Sequence, residues 1–169
     1  GLRLPPRIAP KHVVIVPFLT KPELESKILG YAESVADDLR KLSYNGSPLA
    51  VQVDKRDLRG GEKNWEWIKK GVPLRIEVGP RDMEGGNVCL FRRDKEPKDK
   101  EILNRDSLIE KVISTLDEIQ ENYYQQALKF RDANMIENIS NFEEFTAFFT
   151  PKNKSKPEIH GGIVKAKWC

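Results

Sequence analysis

A chain of 169 residues can bury one substantial core with room for a small appendage, and a composition 38% hydrophobic and 33% charged is that of a soluble globular protein. Its 29 basic and 26 acidic residues leave a net charge of +3, too balanced to coat duplex DNA through charge alone, so no DNA partner is expected and any nucleic-acid binding must be local. No long apolar run and no signal-peptide pattern argue for a membrane, and the two cysteines, Cys89 and Cys169, make no disulfide framework and fit a reducing, cytoplasmic setting.

Gly1 to Pro10 holds Pro5, Pro6 and Pro10, which keep it extended and deny it helical hydrogen bonds, so it reads as a linker from something upstream. Val13 to Val16 is a short continuous apolar run, the mark of a strand covered on both faces. Thr20 and Glu23 have capping-box spacing, and Leu24, Ile28, Tyr31, Val35, Leu39 and Leu42 then recur at helical intervals. Asn45-Gly46-Ser47-Pro48 turns the chain into a second strand over Leu49 to Val53. Gly60-Gly61 precede a short helix that stops at Gly71, and the third strand runs from Val72 to Val78. In it Arg75 and Glu77 point to one face while Leu74, Ile76 and Val78 point to the other. Arg81 and Asp82 follow the Gly79-Pro80 break.

Glu84-Gly85-Gly86-Asn87 turns into Val88 to Phe91, an antiparallel return strand. A charged loop, Arg92 to Lys100, leads past Glu101-Ile102-Leu103 to a long helix with Leu108, Ile109, Val112, Ile113, Leu116, Ile119 and Tyr123 at helical spacing. Asp106 or Ser107 can cap it, and it continues to about Ile136. Ser140 with Glu143 starts another short helix containing Phe142, Phe145 and Phe148. After a basic loop, Lys152 to Pro157, the segment Ile159 to Trp168 is strand-like. Strands alternating with helices imply right-handed crossovers and an α/β fold: a mixed sheet of about five strands flanked by about three main helices. Lacking an initiator Met and stopping at Trp168-Cys169, the chain reads as a piece of a larger protein.

Catalytic signatures are weak. His160-Gly161-Gly162 has the look of a hydrolase oxyanion loop, but no nucleophile turn accompanies it. Neither Gly60-Gly61 nor Gly85-Gly86 completes a phosphate-binding fingerprint, and His12 and Cys89 lack partners at metal-ligand spacing. Asp54, Arg56 and Asp57 read either as an ion-pair network bracing a loop or as direct ligand contacts. Trp65 and Trp67 cannot share one helix face, so one is expected buried and the other exposed, as a plain anchor or a surface for stacking on an unpaired base. The Arg75 fork, with Arg81 and Asp82, suits the planar polar edges of nucleobases; a solvated face with a surface ion pair fits the same residues.

Taken together, Leu4 to Pro10, Val13 to Pro17, Asp54-x-Arg56-Asp57, Gly61-x-Lys63, Glu66-x-x-x-Lys70-Gly71-Val72-Pro73, Glu77-x-Gly79-Pro80-Arg81-Asp82 and Val88 to Asp94 resemble, in order, the C-terminal anticodon-binding domain of the prolyl-tRNA synthetases, which are class II aminoacyl-tRNA synthetases. The resemblance implies a linker over residues 1–11, an anticodon-binding domain over 12–138 and, over 139–169, the truncated start of a zinc-binding-type C-terminal domain in which Cys169 would be a first, single ligand of an incomplete site. It implies a parent ligase, homodimeric and cytoplasmic, that attaches proline to tRNA(Pro) with ATP and Mg²⁺, while this fragment is non-catalytic and needs no cofactor. Proline codons begin CC, so the cognate anticodons end in two guanines. An Arg fork suits guanine O6 and N7, and a carboxylate accepts from N1–H and N2–H₂. The resemblance implies Arg75, Arg81, Asp82 and Glu66 as the base readers, with Lys95 and Lys98 on the RNA backbone. Ile68 stands where the family often has an acidic residue facing the anticodon, and an Ile cannot accept a hydrogen bond. An accessory or dimerisation domain of the same fold, without tRNA specificity, is the alternative.

Overall fold

The first strand, β1 (Val13–Pro17), is wholly buried, as its unbroken apolar run requires. It lies at the second position of a five-stranded sheet, with β4 (Val51–Val53) on one side and β5 (Leu74–Val78) on the other, both parallel to it. Two antiparallel strands, β6 (Asn87–Arg92) and β7 (Glu101–Asn104), complete the order β4-β1-β5-β6-β7. The fold is α/β with a mixed sheet. The structure, a computed structural model, describes residues 1–19, 22–151, 153, 155 and 162–167. Two compact units divide the chain, Gly1–Tyr123 and Tyr124–Cys169. No helix among the described residues is long and apolar enough to cross a membrane.

Helix α1 (Glu25–Arg40) carries Ile28, Val35 and Leu39 onto one sheet face, where they meet Val13, Ile15, Leu74, Ile76 and Val78. Leu108, Val112, Leu116 and Ile119 of the long helix α4 (Arg105–Ala133) fill the rest of that face with Val88 and Leu90. On the opposite face α2 (Gly60–Lys70) packs Trp67 over Val14 and Val16, with Val72 and Phe18 beside them. The register sets Val14 against Arg75 and Val16 against Glu77, so the residues next to this small core on the same face are charged.

Several boundaries depart from the sequence expectations. Thr20 lies outside the described residues; α1 begins at Glu25, after a 3₁₀ turn over Pro22–Leu24. Ser43–Tyr44 (β2) and Ser47–Pro48 (β3) pair as a small hairpin about Asn45-Gly46, both at positive φ, and the second long strand is only Val51–Val53. Pro80–Gly85 is a short helix, α3, where a break was expected, because Pro80 at its first turn needs no hydrogen-bond donor. Glu101-Ile102-Leu103 is the fifth strand rather than a lead-in to the helix. Asn104, not Asp106 or Ser107, caps α4: its Oδ1 accepts from Ser107 N at 2.8 Å.

In the second unit, α4 ends at Ala133, and Met135–Ile136 (β8) instead pairs in parallel with Ile163–Val164 (β9). Of the rest of the strand-like segment, Gly162 and residues 165–167 are not in a strand, and Ile159, His160, Gly161 and Trp168 lie outside the described residues. Helix α5 (Phe142–Phe149) is capped one residue later than the sequence spacing indicated. Asn141 Oδ1 accepts from Glu144 N at 2.8 Å and Glu144 Oε2 accepts from Ser140 N at 3.0 Å.

Gly71 ends α2 in the left-handed region at φ 73°, and its N–H reaches Ile68 O at 3.2 Å. A Cβ there would stand 3.0 Å from the backbone of Leu2, in the N-terminal segment that bonds Leu4 N to Gly71 O at 3.2 Å. Gly71→Ala is expected to cost roughly 1–3 kcal/mol from backbone strain alone. The test is the urea unfolding midpoint, and an unchanged midpoint would contradict this account.

Candidate nucleic-acid interface

On the face opposite α1 and α4, α2 lies over β1 and reaches β5 through Asn64, which bonds Glu77 at 2.7 Å. Alternation along the antiparallel strands puts Arg75 and Glu77, Cys89 and Phe91, and Ile102 on this face of the sheet. Ile102 is 66% exposed on the edge strand. Cys89 lies amid the face, its thiol pKa pushed up by burial and within electrostatic reach of Lys100, Glu77, Asp82 and Arg75.

Arg75 is the most constrained of these groups. Its Nε donates to Glu77 Oε1 at 3.2 Å, and its guanidinium lies 4.4 Å from the Phe91 ring centroid, leaving the side chain 13% exposed. Desolvation lowers its pKa, and the Glu77 charge opposes that shift. Beside it opens a cleft of about 230 Å³ whose walls include Arg3, Trp65, Ile68, Arg75, Phe91, Arg93 and Lys95. Arg93 holds the N-terminal segment there through Leu2 O and Gly1 O, both at 3.1 Å. Trp65 is 55% exposed and Trp67 5%, the division that their spacing on α2 demanded.

The other expected readers lie elsewhere on the same unit. Arg81 and Asp82 sit on α3, past the far end of β5; about 10 Å of strand separates Arg75 from Val78. Arg81 is exposed, and Asp82 Oδ2 accepts from Gly79 N at 2.8 Å, so half of that carboxylate caps its own helix. Glu66 is not among the residues that line the cleft and is paired with Arg56, which holds its carboxyl below the usual range. Lys95 is exposed at the cleft rim, 3.8 Å from Glu101, and Lys98 is exposed on the 3₁₀ turn Pro97–Asp99. Cys169 lies outside the described residues. Among the described residues no three His, Cys, Asp or Glu side chains gather as a metal site.

Beneath α2, Asp54 is the hub of the loop network. Its carboxylate accepts from Arg56 Nε at 2.9 Å, Arg56 Nη2 at 2.7 Å and Trp67 Nε1 at 2.7 Å, while Lys63 Nζ, wholly buried, donates to Asp54 O at 3.2 Å. Burial pushes the Asp54 pKa up, but these donors outweigh it and hold it at about 2. The network braces α2 over β1, as the first of the two readings has it for Asp54 and Arg56, while Asp57 is exposed and outside it. Sequence reasoning missed Arg3, Asn64 and Phe91 as members of this surface. Strand alternation through Cys89 and Phe91 was the available signal for Phe91; Arg3 and Arg93 meet only through the fold.

Residues 12–115 match the sequence profile of the anticodon binding domain, a stretch that contains the whole sheet. The chain belongs to the anticodon-binding domain family. Across all of its length it is 58% identical over 169 residues to a proline–tRNA ligase of Protochlamydia amoebophila, of which it covers 33%. It is likewise 40% identical over 169 residues to that of Bdellovibrio bacteriovorus, covering 33%, and 43% identical over 169 residues to that of Thermococcus kodakarensis, covering 32%. The chain thus spans about a third of the length of the curated relatives it matches. The resemblance read from the sequence is that of an anticodon-binding domain, and the profile match agrees with it.

Proposed function

We propose that this domain reads the anticodon of tRNA(Pro) within a proline–tRNA ligase that charges its tRNA at the expense of ATP. The observation that carries the reading is the sheet face where a largely buried Arg75 on Phe91 adjoins a cleft walled by an exposed Trp65 and rimmed by Arg93 and Lys95. A stacking wall, a planar donor fork and nearby cations are what an unpaired base and its phosphate require. Arg75 and Arg81 would meet guanine O6 and N7, and Asp82 would accept from N1–H and N2–H₂ through the oxygen that does not cap α3. Glu66, committed to Arg56, would act only after exchanging that partner, and Ile68 contributes an apolar wall to the cleft. ATP and Mg²⁺ would be bound by the rest of a homodimeric, cytoplasmic ligase. Residues 1–11 would be the linker, 12–138 the anticodon-binding domain, and 139–169 the start of a further domain to which Cys169 could bring one zinc ligand.

The experiment is binding of short anticodon stem-loops with and without the two terminal guanines across a salt series. Wild type is expected to prefer the guanines, and no preference would defeat the assignment. Lys95→Ala and Lys98→Ala should weaken both RNAs alike and each reduce the slope of log K against log salt by about one. A base-dependent loss in either variant would show that these lysines are not backbone contacts.

A further inference from the structure

Arg75 does not reach the cleft unaided. Glu77, two residues along β5 and on the same face, uses a single oxygen, Oε1, to accept from Arg75 Nε at 3.2 Å and from Asn64 Nδ2 at 2.7 Å. Arg75 Nη2 lies 3.2 Å from that same oxygen. One edge of the guanidinium is therefore turned toward Glu77, and its plane rests against Phe91. The edge that remains is the end-on pair, Nη1 and the outer N–H of Nη2, which is the fork that matches two acceptors on a base edge.

Asn64 is oriented by the same contact. Its Oδ1 is buried and accepts no hydrogen bond, although flipping the amide would exchange the two atoms. The flip would set Oδ1 against the Glu77 carboxylate, acceptor against acceptor, so Glu77 fixes the amide and the amide in turn fixes Glu77. Asn64 comes from α2, Glu77 and Arg75 from β5 and Phe91 from β6: Glu77 and Phe91 touch the guanidinium, and Asn64 reaches it through Glu77.

We propose that Glu77, held by Asn64, is a positioning residue that presents the end-on edge of Arg75 and thereby sets base discrimination at that position. Glu77 need not touch RNA; it acts through Arg75. The inference rests on the anticodon reading for its consequence, but the positioning itself belongs to the free protein and can be read there.

Two measurements test it. In the RNA-free protein the Arg75 Nε–H resonance should be shifted and protected from solvent exchange, and Glu77→Gln should remove that signature; an unchanged Arg75 resonance in the variant would overturn the proposal. With stem-loops, Glu77→Gln should lower the guanine preference about tenfold, and Asn64→Ala about threefold, with the salt slope of wild type. In an Arg75→Ala background, Glu77→Gln should change the preference no further, because its effect passes through the missing guanidinium. A full preference retained by both single variants, or an added loss in the double variant, would overturn the inference while leaving the anticodon reading intact. If wild type itself has no guanine preference, the anticodon reading and the consequence drawn here fall together. Asn64→Ala removes a single contact from the helix side, so it serves where Glu77→Gln disturbs the sheet.

Discussion

Replacing Arg75 by alanine is expected to lower the preference for anticodons ending in two guanines by roughly 5- to 150-fold, the worth of about 1–3 kcal/mol for a lost bidentate base contact. The loss should appear at one anticodon position, with the salt slope almost intact, since a base contact carries sequence information and a phosphate contact does not. Arg81→Ala should erode the preference too, by less, because Arg81 is exposed and nothing comparable to Phe91 and Glu77 holds it among the described residues. The two sites lie at opposite ends of β5, so the losses should add in the double variant. Stem-loop affinities measured with guanine replaced singly at each position give the answer. If both variants keep the wild-type preference, these arginines are not the readers, whether or not the domain binds tRNA.

The largest stability effect should follow Asp54→Ala. Asp54 is 1% exposed, and its loss would strand the Trp67 indole N–H and the half-exposed Arg56 fork, and would take a carboxylate from the residue whose backbone carbonyl holds the buried Lys63 ammonium. Removing one member of a buried charged network costs about 3–5 kcal/mol, against a typical whole-domain stability of about 5–15 kcal/mol. Asp54→Asn should cost less, because its carbonyl oxygen can still accept from Trp67. Urea unfolding followed by circular dichroism measures both, and a loss under about 1 kcal/mol for the alanine variant would contradict the network's role. The same carboxylate gives an acid signature. With its pKa depressed from 3.8 unfolded to about 2 folded, its contribution is complete above pH 3.8 and disappears as the pH falls through 2. That contribution amounts to about 2 kcal/mol. A pH titration of stability in wild type should show this loss, and Asp54→Asn should lack it.

Elements with strong local signals are legible in the amino-acid order alone. Val13 to Val16 could only be a strand covered on both sides, and the stripe Ile28, Val35, Leu39 could only be the buried side of a helix, because burial of apolar surface dominates and the spacing allows one geometry for each. The period-2 pattern likewise placed Arg75 and Glu77 together on one face of β5. Elements with weak local signals are not legible in this way. Glu101-Ile102-Leu103 reads as a lead-in to the long helix, and becomes a strand because β6 offers it an unpaired edge. Helix caps slid by one to three residues, to Asn104 and Asn141, since several adjacent polar side chains could cap equally well until packing chose the helix start.

The candidate site divides along the same line. By itself the sequence determined which residue types face which side of each strand, that Trp65 and Trp67 cannot share one helix face, and that any RNA contact must be local, because each of these follows from periodicity or from total charge. Only the tertiary structure decided which of those residues meet. It turned Glu66 toward Arg56, spent half of Asp82 on capping α3, carried Arg81 past the far end of β5, and brought Arg3, Asn64, Phe91 and Arg93 from distant parts of the chain to the surroundings of Arg75. The physical reason is that a side chain's direction is a local property of its strand or helix, whereas its partner is set by strand order, register and helix crossing, which the packing of the whole core selects.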